Sequence, residues 1–233
     1  MFYGYGFDST FLLILPAIIF AAYAQSKVTS TFNKYLQVRN SYGHTGHAVA
    51  RRILDVNGLQ DVPVELVKGR LSDHYDPRTR VLRLSQDVYS SNSLASVGVA
   101  AHECGHAVQD ARDYVPLKVR GAIVPVANFS SQLSWPLFLV GLIFSWKPLV
   151  TAGIVLFCGA LIFQLVTLPV EFNASGRALK MLKSTGILGD AEIKGTRRVL
   201  RAAAMTYVAA VIGSLLQLLR LLILSGSVRD RND

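Results

Sequence analysis

Between Lys147 and Glu171 the chain carries no charged side chain, and Leu149 to Val170 is a run of 22 uncharged residues. At about 1.5 Å per residue, a helix of that length reaches about 33 Å, enough to cross the ~30 Å hydrocarbon layer of a bilayer. Backbone in hydrocarbon has no water to bond, so such a run folds as a helix. Three further apolar runs accompany it: Ser9 to Ala24, Leu133 to Trp146, and about Ala202 to Leu224, the last interrupted by Arg220. A mean hydropathy of +0.36 fits four spans better than an ordinary soluble domain. Only Trp146-Lys147-Pro148 separates the second run from the third, which predicts a tight helical hairpin.

Lys and Arg outnumber Asp and Glu by 24 to 15. Such an excess suits nucleic acid or an anionic membrane surface, and placement decides between them. Residues 27–128 hold thirteen Lys or Arg and residues 177–201 hold seven, with Lys27, Lys34, Lys118, Arg120, Arg177 and Lys180 close to the ends of apolar runs. That pattern points to a lipid bilayer and not to nucleic acid. By the positive-inside rule both large polar segments face the cytoplasm, and four spans of a plasma-membrane protein then leave both termini outside. The first run ends in Ala22-Tyr23-Ala24, similar to a signal-peptidase site, but no Lys or Arg precedes it. It is therefore expected to stay as a signal anchor, behind the interfacial aromatics Phe2, Tyr3, Tyr5 and Phe7. The two cysteines, Cys104 and Cys158, make a disulfide framework improbable.

The expected organisation is an anchor (1–26), a cytoplasmic catalytic segment (27–128), a transmembrane hairpin (129–170), a second cytoplasmic segment (171–203), and a fourth span with its tail (204–233). Within the first polar segment, Ala48 to Leu54 reads as a short helix. Val62 to Val67 and Arg80 to Leu84 alternate like strands, with Asp73-His-Tyr-Asp-Pro77 as turn residues between them. Ser90, Ser91 or Ser93 can cap the helix that follows, from about Leu94 to Asp110.

That helix carries His102-Glu-Cys-Gly-His106. Histidines four apart share a helix face and can grip one metal ion, while Glu103, rotated by about 100°, can reach a water beside it. Zinc acidifies such a water, so a carboxylate can take its proton for attack on a carbonyl. Gly98 and Gly105 each cost a helix roughly 1 kcal/mol against Ala, which suggests that another element approaches closely there. Cys104 faces away from both histidines and reads as packing. A catalytic zinc site needs a third protein ligand. No histidine follows His106, so that ligand is a carboxylate or an upstream histidine. Glu171, directly after the third run, is the best-placed carboxylate, and Asp110 and Asp113 read as surface or supporting groups.

Weaker candidates remain. His44 and His47 read as loop histidines before a second metal site, and Asp73, His74 and Asp76 as a polar turn before a cation site. Val81, Leu82, Arg83 and Leu84 could hold an extended substrate by strand addition. Arg177 could pair with a carboxylate or stabilise an oxyanion, or simply belong to the basic flank.

Ala101-His-Glu-Cys-Gly-His-Ala-Val-Gln109 and Leu168-Pro-Val-Glu-Phe-Asn-Ala-Ser175 resemble the two signature segments of the YugP-like membrane zinc metallopeptidases. The stretch from Leu71 to Tyr89 is similar to the segment before the motif in that family, and the resemblance covers roughly residues 1–225. More distantly the chain resembles the HtpX-like and CAAX-processing membrane peptidases. The resemblance implies one Zn2+ held by His102, His106 and Glu171, with Glu103 as catalytic base. It also implies a gluzincin-like α+β domain with a small β-sheet on a mainly α membrane protein of four transmembrane helices. The HtpX-like pattern has Asp four residues after the ligand glutamate, where this chain has Ser175. Asn173 and Ser175 are therefore the candidates for orienting the ligand histidines.

The expected function is that of a zinc endopeptidase acting on membrane or membrane-proximal proteins. A site-2-type intramembrane protease would carry the motif within a span and pair it with a distal Asp, whereas this helix is flanked by Asp87, Asp110, Arg112 and Asp113. A metal-stabilised scaffold or adaptor is the non-enzymatic alternative, and it has no need of Glu103. A transporter would need an ionisable pathway at span centres, and none is evident.

Overall fold

Uncharged length dictates the long elements. The structure, a computed structural model, describes residues 9–229, so the aromatic cluster Phe2, Tyr3, Tyr5 and Phe7 lies outside it. Among the described residues, four helices are long and apolar enough to cross a membrane: α1 (Phe11–Leu36), α5 (Val115–Ile143), α6 (Lys147–Ser184) and α7 (Asp190–Arg229). The chain is mainly helical, and it divides into two compact units.

Among the described residues, the first unit comprises 9–23, 120–166 and 207–229. Its α5–α6 hairpin is closed by small residues. A Cβ on Gly141 would stand 2.5 Å from the Val150 nitrogen, and one on Gly153 would stand 2.7 Å from the Phe138 nitrogen. Lipid tails offer no hydrophobic gain for helix association, so this backbone proximity and its dispersion contacts supply it. Phe138, Val150 and Leu221 form the buried cluster of this unit. Arg220 is fixed inside it as well, donating from Nε to Thr10 Oγ1 at 3.2 Å and stacking over Phe11.

The second unit comprises Ala24–Val119 and Thr167–Thr206. Here α2 (Gly46–Val56), the short α3 (Gln86–Tyr89) and α4 (Leu94–Ala111) pack with a three-stranded sheet. Ser93 caps α4, its side chain accepting from the Ser96 N–H. The core runs from Val49, Ile53 and Leu54 of α2, through Ala100, Ala101 and Cys104 of α4, to Ala178 and Leu182 of α6. Cys104 is fully buried, as its phase on the helix predicts.

The sheet departs from expectation in two places. Asp73 to Pro77, expected as a turn, contains a strand of its own, β2 (His74–Asp76), which pairs antiparallel with β3 (Val81–Ser85). Only three residues long, with Tyr75 alone turned into the core, β2 leaves no alternating pattern to detect. β1 (Val64–Val67) pairs with β3 in parallel, so the order is β1-β3-β2. This corrects the second expectation. Val81, Leu82, Arg83 and Leu84 lie in the central strand, with β1 along one edge and β2 along the other, and Asp73 Oδ1 takes the Ser85 N–H at 2.7 Å where β2 begins. A substrate strand cannot be added to β3; the edges left are those of β1 and β2.

Candidate metal centre

The centre is built on two helices of the second unit. Residues four apart place His102 and His106 on one face of α4, with imidazole centroids 4.8 Å apart and planes nearly perpendicular. α6 brings Glu171 against them because Gly105 has no side chain. A Cβ there would stand 2.6 Å from the Ala174 carbonyl oxygen. Gly98 does the same towards α7, where a Cβ would meet Thr196 Cγ2 at 2.6 Å. The helix cost of these glycines is thus offset by contact that a larger residue would forbid.

One carboxylate oxygen, Glu171 Oε2, lies 3.3 Å from His102 Nε2 and 3.7 Å from His106 Nε2. The three donors lie within 4.8 Å of one another. Those separations are long for charge-assisted hydrogen bonds, which run at about 2.7–2.9 Å. The shorter one is close to the ~3.3 Å donor–donor edge that zinc bonds of ~2.0–2.1 Å would set. Two neutral imidazoles and one carboxylate also form the His2Glu set that leaves a fourth position open on catalytic zinc. The donor set therefore fits the metal that the sequence implies. His106 reports the same preference electrostatically. Burial pushes its imidazolium down, but the Glu171 carboxylate, the Glu103 charge and the Gln109 amide outweigh burial and raise its proton affinity. The pocket attracts positive charge.

Each ring turns its other nitrogen to a fixed partner. His102 Nδ1 lies 3.1 Å from Ser175 Oγ, and His106 Nδ1 lies 3.0 Å from Gln109 Oε1. The second contact settles a tautomer by logic. The Val170 carbonyl can only accept, so the Gln109 amide nitrogen must face it, at 2.8 Å, and Oε1 must face His106. His106 Nδ1 then carries the proton, and its Nε2 lone pair is left for a metal. The same Gln109 nitrogen donates to Asn173 Oδ1 at 3.0 Å, and Arg177 Nε donates to that oxygen at 2.6 Å.

Ser175 thus meets a ligand histidine directly, Asn173 reaches one through Gln109, and the Arg177 guanidinium is held by Asn173 and lies over Tyr114, 5.9 Å from its ring centre. Gln109 went unread as a functional residue. Its signal was its phase, three residues after His106 on the buried face of α4, which a long amide shares with any core side chain. Glu103 is also buried, and its Oε2 accepts the Tyr75 N–H of β2 at 3.0 Å. The Tyr75 hydroxyl donates to Asp110 Oδ2 at 2.8 Å, so one residue of β2 spans two carboxylates of α4.

The weaker candidates go elsewhere. His44 and His47 stack on Tyr42 and Tyr89. Asp73 is taken by Ser85, Asp76 by Arg78 and Thr79, and His74 by the Ser72 carbonyl. His102, His106 and Glu171 are the metal-competent cluster among the described residues.

Four helices long and apolar enough to cross a membrane thus accompany a two-histidine, one-glutamate cluster that could hold a metal ion. The chain belongs to the zinc metallopeptidase family described as "Putative neutral zinc metallopeptidase", which it matches over residues 10–226. It is 49% identical over 220 residues, 94% of this chain and 98% of the relative, to the "Putative membrane protease YugP" of Bacillus subtilis (strain 168). No solved structure matches the chain.

Proposed function

We propose that this protein is a zinc-dependent endopeptidase of the gluzincin type, embedded in the plasma membrane and cleaving membrane or membrane-proximal proteins. The segments 27–128 and 171–203 form its catalytic domain on the cytoplasmic side, and both termini lie outside. The observation that carries the reading is the convergence of two Nε2 atoms on one Glu171 oxygen, with both Nδ1 atoms turned to partners of their own.

His102, His106 and Glu171 would hold Zn2+, leaving the site one net positive charge. When bound, zinc polarises a carbonyl and acidifies water. Glu103 supplies the proton transfers: its carboxylate takes a proton from the attacking water and returns it to the leaving amine. The Tyr75 N–H holds that carboxylate at one oxygen and leaves the other free to act as base. Gln109 keeps His106 in the tautomer that presents Nε2, and Ser175 fixes the orientation of the His102 ring. A scaffold would require no carboxylate in the place of Glu103.

Glu103→Gln keeps the hydrogen bond to Tyr75 and removes the base. Purified in detergent, the variant should retain zinc by elemental analysis and lose peptide hydrolysis by about 10²–10⁴-fold. Full activity in that variant would sink the assignment. Comparing membrane proteomes of hosts carrying wild type and Glu103→Gln would then reveal the substrates.

A further inference from the structure

Three cavities of the second unit have linings rich in Lys and Arg that contain no Asp or Glu. The first is a groove of about 550 Å³ between α6 and α7. Its walls are Phe172, Leu179, Ile193, Leu200 and Ala204, and its cations are Lys180, Lys183, Arg197 and Arg201. The lining of α6 runs from Phe172 to Lys183, about 16 Å along the helix axis. Along both helices the apolar positions Phe172 and Ala204 come nearest the uncharged runs, and Lys183 and Arg197 lie nearer the turn that joins α6 to α7. Arg201 also lines a second groove with Lys27, Lys34 and Arg198, so cations from α1 and α7 meet at that point. Lys183 pairs with Asp190, whereas no ion pair holds Lys180, Arg197 or Arg201 among the described residues.

A solvated basic flank would scatter its charges around the helices. Here they border an apolar trough, and Phe172, at the end nearest the uncharged run of α6, is 51% exposed. We propose that the α6–α7 groove binds an anionic phospholipid, its phosphate held by Arg197, Arg201 and Lys180 and its upper acyl segment lying on Phe172, Leu200 and Ala204. Basic pockets beside transmembrane helices meet anionic headgroups in this way, each cation adding to the attraction. An acidic peptide would match the charge but would leave the apolar wall uncovered. The groove is distinct from the metal cluster, although Ser175, which meets His102 Nδ1, lies in its wall.

The test uses delipidated full-length protein in a zwitterionic detergent, in the Glu103→Gln background so that peptidase activity plays no part. Phosphatidylglycerol and phosphatidylcholine of matched chains are titrated and bound lipid is counted by native mass spectrometry. Inorganic phosphate and an acidic peptide serve as competing probes. Phosphatidylglycerol should bind about tenfold or more tightly than phosphatidylcholine. The pair Arg197→Gln with Arg201→Gln should remove most of that preference while zinc content and melting temperature stay at the parent values. A control pair on exposed cations outside the grooves, Lys68→Gln with Arg78→Gln, should keep it. Equal affinity for the two lipids, or a preference that survives the groove pair, overturns the proposal. So does displacement by phosphate or acidic peptide at concentrations matching the lipid, which would make the groove a site for a free anion or a peptide. If the groove pair melts earlier, Lys180→Gln alone decides, and an unchanged preference there also overturns it.

Discussion

Helix α6 makes two close approaches, and they are built alike for different ends. In the first unit, Gly153 lets α6 meet the backbone of α5 at Phe138. In the second unit, Gly105 of α4 meets the backbone of α6 at Ala174. Both contacts trade a side chain for backbone proximity. The hairpin contact is then covered by the apolar side chains of Phe138 and Val150. The α4–α6 contact is flanked by Ser175, Asn173 and Gln109, each hydrogen-bonded across the gap or along α6. Close approach alone makes a stable helix pair. Close approach plus fixed donors and acceptors makes a place where two lone pairs and a carboxylate oxygen must converge.

The largest effect that can break this contrast comes from the convergence itself. Glu171→Ala removes the only carboxylate of the cluster and leaves two imidazoles on α4. Zinc affinity should fall by more than the ~10–100-fold that losing an outer partner costs, and peptide hydrolysis should vanish with it. Chelation of the wild type should abolish hydrolysis in the same way, and added zinc should restore it. A Glu171→Ala protein that holds zinc as tightly as wild type, by competition with a chromophoric chelator, would mean that the ligand lies elsewhere.

Next is Gln109→Leu. The amide is fully buried and ties His106 to the Val170 carbonyl and to Asn173. Leucine keeps the packing but frees the imidazole and removes the amide donor from the Val170 carbonyl and from Asn173, so zinc should bind about 10–100-fold more weakly. Gln109→Glu keeps an acceptor for His106 and loses both donors, so it should fall between wild type and Leu. Equal losses for Leu and Glu would show that bracing α6, and not the tautomer of His106, is what Gln109 does.

How much of this was legible in the sequence depends on which physical signal each part left behind. Uncharged length revealed the apolar helices, because charge is excluded along a whole run and not at one site. The meeting of His102, His106 and Glu171 was legible from helical phase and from the end of the third run. β2 was not, since Asp73 and Pro77 enclose a strand with one buried side chain. The central position of β3 was hidden too, because strand order depends on partners far along the chain. Arg177 read as a partner for a carboxylate, an oxyanion group or part of the basic flank, and its guanidinium lies against Asn173 and the Tyr114 ring. Rotamers of long side chains are set by neighbours that no spacing rule names.

The two glycines allow a matched pair of smaller perturbations. Gly105→Ala drives a methyl against the Ala174 carbonyl, and Gly153→Ala drives one against the Phe138 backbone. Overpacking of this kind costs about 1–3 kcal/mol, so both proteins should melt earlier in detergent. Only Gly105→Ala should also weaken zinc, because the shift it forces separates α4 from Glu171. Equal zinc affinity in the two variants would mean that the α4–α6 gap has slack, and that Gly105 serves packing alone.

The smallest effect tests whether the polar side of the contrast carries strain as well as order. Asp73, half-buried beside β3, has its carboxyl pushed above the usual range by burial. Bonds from Ser85 pull it down, and the nearby Glu103 charge pushes it up again. A carboxyl raised in the folded state binds more proton folded than unfolded. Its contribution to stability is therefore fully present below the unfolded value of about 3.9 and is lost as pH rises through the folded one. Asp73→Asn keeps an acceptor for the Ser85 N–H and removes the charge. The variant should match wild type near pH 4 and gain a degree or two of melting temperature by pH 7, the gap opening as pH rises. A gap that opens on the acid side instead would mean that the carboxylate stabilises this corner of the sheet, with the Ser85 hydrogen bonds outweighing burial and the Glu103 charge together.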